Sequence, residues 1–143
     1  MEVIIRPSAD EAALLTARLI ADAIRDNPHI VLGLATGRTM ANVYAMLAKM
    51  HREDGLDFAL VTTFNLDEYV GLEPGDPHSY RAYMNTHLFD HINIDRRNTF
   101  LLNGVTGDLE SECRFYEQRI QTHGGIDLQL LGIGRSGHIG FNE

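Results

Sequence analysis

A chain of 143 residues, 44% hydrophobic and 22% charged, can hide roughly 68–70% of its unfolded surface, so the expectation is one α/β domain over 1–143. Its 12 basic and 20 acidic side chains leave a formal charge of −8, which argues against nucleic acid as the main partner, because a phosphate backbone needs clustered positive charge; a small anion needs only a few N–H groups and one or two cations. No apolar run is long enough to span a bilayer, the start "MEVIIRPSAD" carries no export signal, and the single Cys113 supports neither disulfides nor a thiolate zinc site, so the expectations are a cytoplasmic location, no membrane partner and no metal.

In chain order, "EVIIR" (2–6) reads as a short strand. Ser8 and Glu11 form an S-x-x-E capping box ahead of Ala12, Leu15, Leu19 and Ala23 at helical spacing, and Asn27-Pro28 ends that helix. "IVLGLA" (30–35) is an apolar run of strand length, after which Thr36-Gly37-Arg38-Thr39 turns the chain into a helix carrying Val43, Met46, Leu47 and Met50. "FALVTTFNL" (58–66) is a third strand, followed by a polar loop with Gly71, Pro74, Gly75 and Pro77 and a helical stretch from about Ser79 to His91. "TFLLN" (99–103) is a weaker strand, Asp108 to His123 a helix with Leu109, Cys113, Tyr116 and Ile120 on one face, and "IDLQLLGIG" (126–134) a last strand.

Apolar strands alternating with amphipathic helices imply an α/β fold with a doubly wound, mainly parallel sheet and helices on both faces, Rossmann-like in layout. Ligands of such sheets collect beyond the carboxyl ends of the strands, near a switch in strand order. Three strand ends therefore matter most: Ala35 to Thr39, Asn65 to Tyr69, and Gly134 to His138.

The turn Thr36-Gly37-Arg38-Thr39 places a glycine and two hydroxyls where helix N–H groups and the helix dipole face an anion. It reads equally as a phosphate cradle or as a plain turn with Thr39 as N-cap. Asp67 and Glu68 stand just past an apolar strand. Either one of them is partly desolvated and serves as a general base near neutral pH, or Asp67 caps the next turn and Glu68 is solvated; on the residues alone the second reading leads.

Gly132, Gly134 and Gly137 spell G-x-G-x-x-G, the pattern of a dinucleotide loop. That loop belongs in the first βα turn of its unit, with an acid about twenty residues later. Only "HIGFNE" follows Gly137 here, so no dinucleotide is expected. The stretch instead offers His138 between Gly137 and Gly140, open to a ligand, with Glu143 five positions on as a carboxylate partner for proton transfer.

Three segments in this order, "LGLATG-x-T", "FNLDEYVGL" and "GIGRSGHIGFNE", resemble the signatures of the glucosamine-6-phosphate deaminase (glucosamine-6-phosphate isomerase) family, and "DPHSY" and "GGIDLQLLGIG" add to the likeness. The resemblance runs from Val3 to Glu143. It implies an enzyme that isomerises and deaminates glucosamine 6-phosphate to fructose 6-phosphate and ammonia, a hydrolase with an isomerase step, in amino sugar catabolism and without a cofactor. Carried over, Asp67 moves a proton between C2 and C1, His138 assists pyranose opening, Glu143 orients it, and Thr36, Gly37, Arg38 and Thr39, with Gly137, hold the phosphosugar. The 6-phosphogluconolactonases share the general fold and a phosphosugar site but lack "LDEYVGL".

Three departures stand out. Ser136 occupies a position where the family usually has Asp or Asn in the relay with the histidine, which leaves Glu143 as the expected orienting group. Arg38 and Met40 replace the small residue and the proline of T-G-[GS]-T-P, so Arg38 either contacts phosphate or fills its pocket. Family sequences also continue past "FNE", so the chain corresponds to their N-terminal part. The alternatives are a non-catalytic phosphosugar-binding remnant, a galactosamine-6-phosphate deaminase and a lactonase relative. Homo-oligomerisation stays open, since hexamers and monomers both occur in the family.

Overall fold

The computed structural model describes residues 1–142, so Glu143 lies outside the described residues. Helix α1 (Ala9–Asp26) starts where the capping box predicts, with the Glu11 N–H donating to Ser8 Oγ at 3.2 Å. Strand β1 (Val31–Leu34), helix α2 (Arg38–Asp54), β2 (Thr62–Asn65), α3 (Tyr80–His87), β3 (Thr99–Phe100), α4 (Leu109–Thr122) and β4 (Leu128–Gln129) follow. The expected helix from Ser79 to His91 divides: α3 stops at His87, and Phe89–His91 forms a separate 3-10 turn.

The four strands form one parallel sheet in the order β3-β2-β1-β4. From β1 the chain steps outward to β2 and β3 and then crosses back beyond β1 to β4, which creates the switch point between β1 and β4. Side chains alternate across the sheet, so Leu32 and Leu34 of β1 join Ile20 and Ile24 of α1 and Val43, Tyr44 and Leu47 of α2 on one face. Val31 and Phe64 face the other way, against Tyr116 of α4. Helices on both faces of a parallel sheet are the arrangement that the alternating pattern predicts. Each fully buried side chain such as Leu34 or Leu47 contributes about 1.5–3 kcal/mol.

Two expectations are corrected. Residues 2–6 pair with none of the sheet's strands, and Val3 and Ile5 are exposed; apolar alternation supplies strand propensity, but a strand needs a ladder partner. Helix α1 buries Ala13, Ala17, Ile20, Ala21 and Ile24 rather than Ala12, Leu15, Leu19 and Ala23, and Leu19 is 54% exposed. One residue of offset rotates the face by about 100°. The fold selects the small-residue stripe because alanines let α1 approach α2 closely.

Candidate active site

The carboxyl ends of β1, β2 and β4 open into one cleft of about 890 Å³. Its walls are the loop from Ala35 to Met40, the segment with Leu66, Asp67 and Tyr69, the α3 residues Tyr80 and Tyr83, and the chain after β4, including Gly134, His138, Gly140 and Phe141. All three strand ends singled out in the sequence therefore meet.

At the β1 end, Gly37 is the N-cap of α2, with φ 120 and ψ 167, a conformation essentially reserved for glycine. Arg38 begins the helix, so Thr39 lies inside the first turn and is not its N-cap. The first-turn N–H groups have no intrahelical carbonyl to bond, and the dipole's positive end sits with them. Arg38 is exposed on the cleft wall. Met40 turns inward, 5% exposed, and its Cε packs so close to Gly132 that a side chain there would collide with it.

The two neighbouring acids separate into different roles. Glu68 turns to α3, its Oε1 accepting the N–H groups of Tyr69 and Tyr80 and its Oε2 that of Arg81, all at 2.9–3.0 Å. The capping acid is thus Glu68, and the expectation that Asp67 caps while Glu68 is solvated is overturned. Asp67 is half-buried on the cleft wall. Burial first, and the adjacent Glu68 charge second, push its carboxyl above the ordinary value of 3.8, against the opposing effect of a hydrogen bond from the Phe141 N–H. A carboxylate in that state is a stronger base than a solvated one.

The glycine-rich run is shaped by its neighbours. A Cβ at Gly134 would collide with the His138 imidazole, and one at Gly140 would stand 3.0 Å from Asp67 Oδ2. These glycines make room for the imidazole and the carboxylate, a different task from approaching a pyrophosphate. His138 is half-buried on the cleft wall, and its Nδ1 lies 2.6 Å from Ser136 Oγ. Ser136 therefore does contact the ring, and the expectation that Glu143 alone orients it does not hold; Glu143 itself lies outside the described residues. Gly137 belongs to the turn beside the cleft: its N–H donates to the Gly134 carbonyl at 2.9 Å, and its neighbour His138 lines the cleft.

Residue-type reasoning missed an aromatic wall. Tyr80 stacks on Phe141 with ring centroids 5.6 Å apart, and Tyr69 packs on both at 4.9 Å. The Tyr80 hydroxyl donates to that of Tyr69 at 3.4 Å and lies on the same cleft wall as Thr36. Burial, with the neighbouring Tyr69 hydroxyl, pushes Tyr80 up to about 12, so it acts as a neutral donor and acceptor. The available signal was the pair Tyr80 and Tyr83 at i, i+3 behind the N-cap Ser79. Among the described residues no three His, Cys, Asp or Glu side chains gather as metal ligands, and no helix is long and apolar enough to cross a membrane.

The cleft at the switch point of this parallel α/β sheet thus brings together a helix N-terminus, a half-buried carboxylate and a histidine. The chain belongs to the family of glucosamine-6-phosphate isomerases/6-phosphogluconolactonase, which it matches over residues 6–140. It is 54% identical over 143 residues to a glucosamine-6-phosphate deaminase of Clostridium perfringens and 52% identical to one of Geobacillus sp., covering all of this chain but 59% and 57% of theirs. The solved structure of a monomeric glucosamine-6-phosphate deaminase superimposes with a TM-score of 0.97 at 48% identity, over 100% of this chain and 59% of that one. A 6-phosphogluconolactonase from Thermotoga maritima shares the fold, with a TM-score of 0.77 at 21% identity. The chain thus spans somewhat over half the length of the relatives it matches.

Proposed function

We propose that this chain carries the catalytic groups of a glucosamine-6-phosphate deaminase, which converts glucosamine 6-phosphate and water to fructose 6-phosphate and ammonia. The observation that carries the reading is that the base-like Asp67, His138 and the N-terminus of α2 line a single cleft. The relatives' names supply the substrate.

In this reading the substrate phosphate lies against the Thr36–Thr39 turn, where N–H groups and the helix dipole are complemented by Arg38. His138 takes the proton of the anomeric hydroxyl as the C1–O5 bond breaks and returns a proton to O5, with Ser136 and Glu143 orienting the ring. Asp67 then removes the proton from C2, which gives an enolamine, and returns it to C1, which leaves an imine at C2. Water adds to C2, ammonia departs, and the ketose remains. Proton abstraction next to a carbonyl-like carbon calls for a carboxylate tuned upward, and ring opening calls for a separate acid–base group. Asp67 and His138 meet those needs from different strand ends.

A substrate panel tests the reading. The protein at full length is given glucosamine 6-phosphate, its galacto epimer and 6-phosphogluconolactone, and ammonia and acid release are followed. Ammonia from the gluco substrate at the highest kcat/KM is expected. Preference for the epimer moves the assignment to the galacto substrate, and lactone hydrolysis without ammonia refutes it.

A further inference from the structure

Helix α3 joins the two halves of the cleft, and its contacts assign it more than a packing role. Its N-terminus is held by Glu68, whose carboxylate takes the N–H groups of Tyr80 and Arg81, and Glu68 is the chain neighbour of Asp67. Its cleft-facing residues Tyr80 and Tyr83 reach the opposite loop. The Tyr83 hydroxyl donates to the Gly37 carbonyl at 2.7 Å, the same oxygen that accepts the Met40 and Ala41 N–H groups at 3.1 and 3.2 Å as α2 begins. Tyr80 lines the same cleft as Thr36, and its hydroxyl donates to that of Tyr69 at 3.4 Å. Beneath them Tyr44, edge-on to Tyr83 with centroids 6.4 Å apart, donates its hydroxyl to the Ala35 carbonyl.

Ala35 and Gly37 are thus each fastened by one tyrosine hydroxyl, with Tyr80 on the same cleft wall as Thr36 between them. A carbonyl pinned by several donors cannot rotate toward the cleft, and a peptide plane fixed on its carbonyl side is fixed on its N–H side too. The Arg38 N–H shares a peptide plane with the Gly37 carbonyl, so the Tyr83 contact sets the aim of an anion-facing donor. We propose that Tyr80 and Tyr83 are positioning residues, which hold the Thr36–Thr39 loop in its anion-binding shape and in register with Asp67 through the single rigid helix α3. The inference rests on the reading of that loop as a phosphate site.

The experiment uses the protein at full length and inorganic phosphate as probe, with amide chemical shifts of Gly37, Arg38 and Thr39 followed through a titration. Loss of one neutral hydrogen bond is expected to raise the phosphate Kd about three- to tenfold in Tyr83→Phe, and by a smaller factor in Tyr80→Phe. KM for the phosphosugar should rise with it, while kcat falls less. Tyr116→Phe is the control, since that hydroxyl bonds to the Asn65 and Phe100 carbonyls at 2.8 and 3.1 Å, away from the loop; it is expected to lower the melting temperature and leave the phosphate Kd unchanged. If Tyr80→Phe and Tyr83→Phe both keep the wild-type Kd, or Tyr116→Phe moves it as far as they do, the positioning role is overturned while the phosphate site stands. A wild-type protein whose loop amides ignore phosphate refutes the site and the inference together.

Discussion

Because burial and the Glu68 charge hold the Asp67 carboxyl above its ordinary value, neutralising it acts in opposite directions on catalysis and on stability. The folded state binds this proton more tightly than the unfolded chain does. The stability cost is therefore absent below the unfolded value, builds as pH rises through the folded value, and persists above it. Asp67→Asn is expected to raise the melting temperature at neutral pH, with the gain vanishing by about pH 3; a gain independent of pH would contradict the assigned cause. The acid limb of the kcat/KM profile should lie above the range of a solvated aspartate for the same reason. At His138, Ser136→Ala removes the 2.6 Å contact to Nδ1 and is expected to slow turnover of the closed-ring substrate about tenfold, less than the 10²–10⁴ typical of losing an acid–base group itself. An open-chain analogue should be spared, and equal loss on both would separate Ser136 from ring opening. The sequence placed Asp67 and His138 at strand ends on pattern alone, but it could not apportion the two acids. That division depends on α3 presenting its N-terminus to Glu68, a contact across 12 or 13 positions that local spacing does not encode.

Elements carry the site through their ends more than through their middles. Glu68→Ala strips a carboxylate from the backbone N–H groups of Tyr80 and Arg81 and is expected to cost about 1–3 kcal/mol in urea unfolding, with Glu68→Gln losing less. At the other loop, Gly37→Ala forces a side chain into φ 120, ψ 167, and a cost of about 1–3 kcal/mol is expected with phosphate binding weakened. Helix limits were legible where a cap marks them, as at Ser8, Ser79 and Asp108, whose side chains accept the N–H groups of Glu11, Ala82 and Ser111. The buried face of α1 was not, because periodicity gives a helix and its phase has to come from what it packs against. "EVIIR" shows the same limit for strands.

At the scale of the whole molecule, strand order explains why distant segments converge. With β1 and β2 adjacent and β4 on the far side of β1, loops separated by about thirty to one hundred residues come to rest at one end of the sheet, and the alternation of apolar strands with helices already implied that convergence. Beyond β4, which is an edge strand among the described ones, Leu131 and Ile133 are exposed, Ile133 to 80%. A bare parallel edge flanked by apolar side chains invites pairing. The 143-residue chain produced by itself is expected to self-associate with rising concentration in sedimentation velocity, and a concentration-independent monomer would contradict this.

The central claim, that Asp67 is the base of an aminosugar-phosphate deamination in this cleft, is tested most directly by ammonia release from glucosamine 6-phosphate, measured for the full-length protein and its Asp67→Asn variant side by side. Release by the wild type, its loss in the variant and phosphosugar affinity kept within a few-fold are the predicted results. Ammonia released at the wild-type rate by Asp67→Asn would contradict the account.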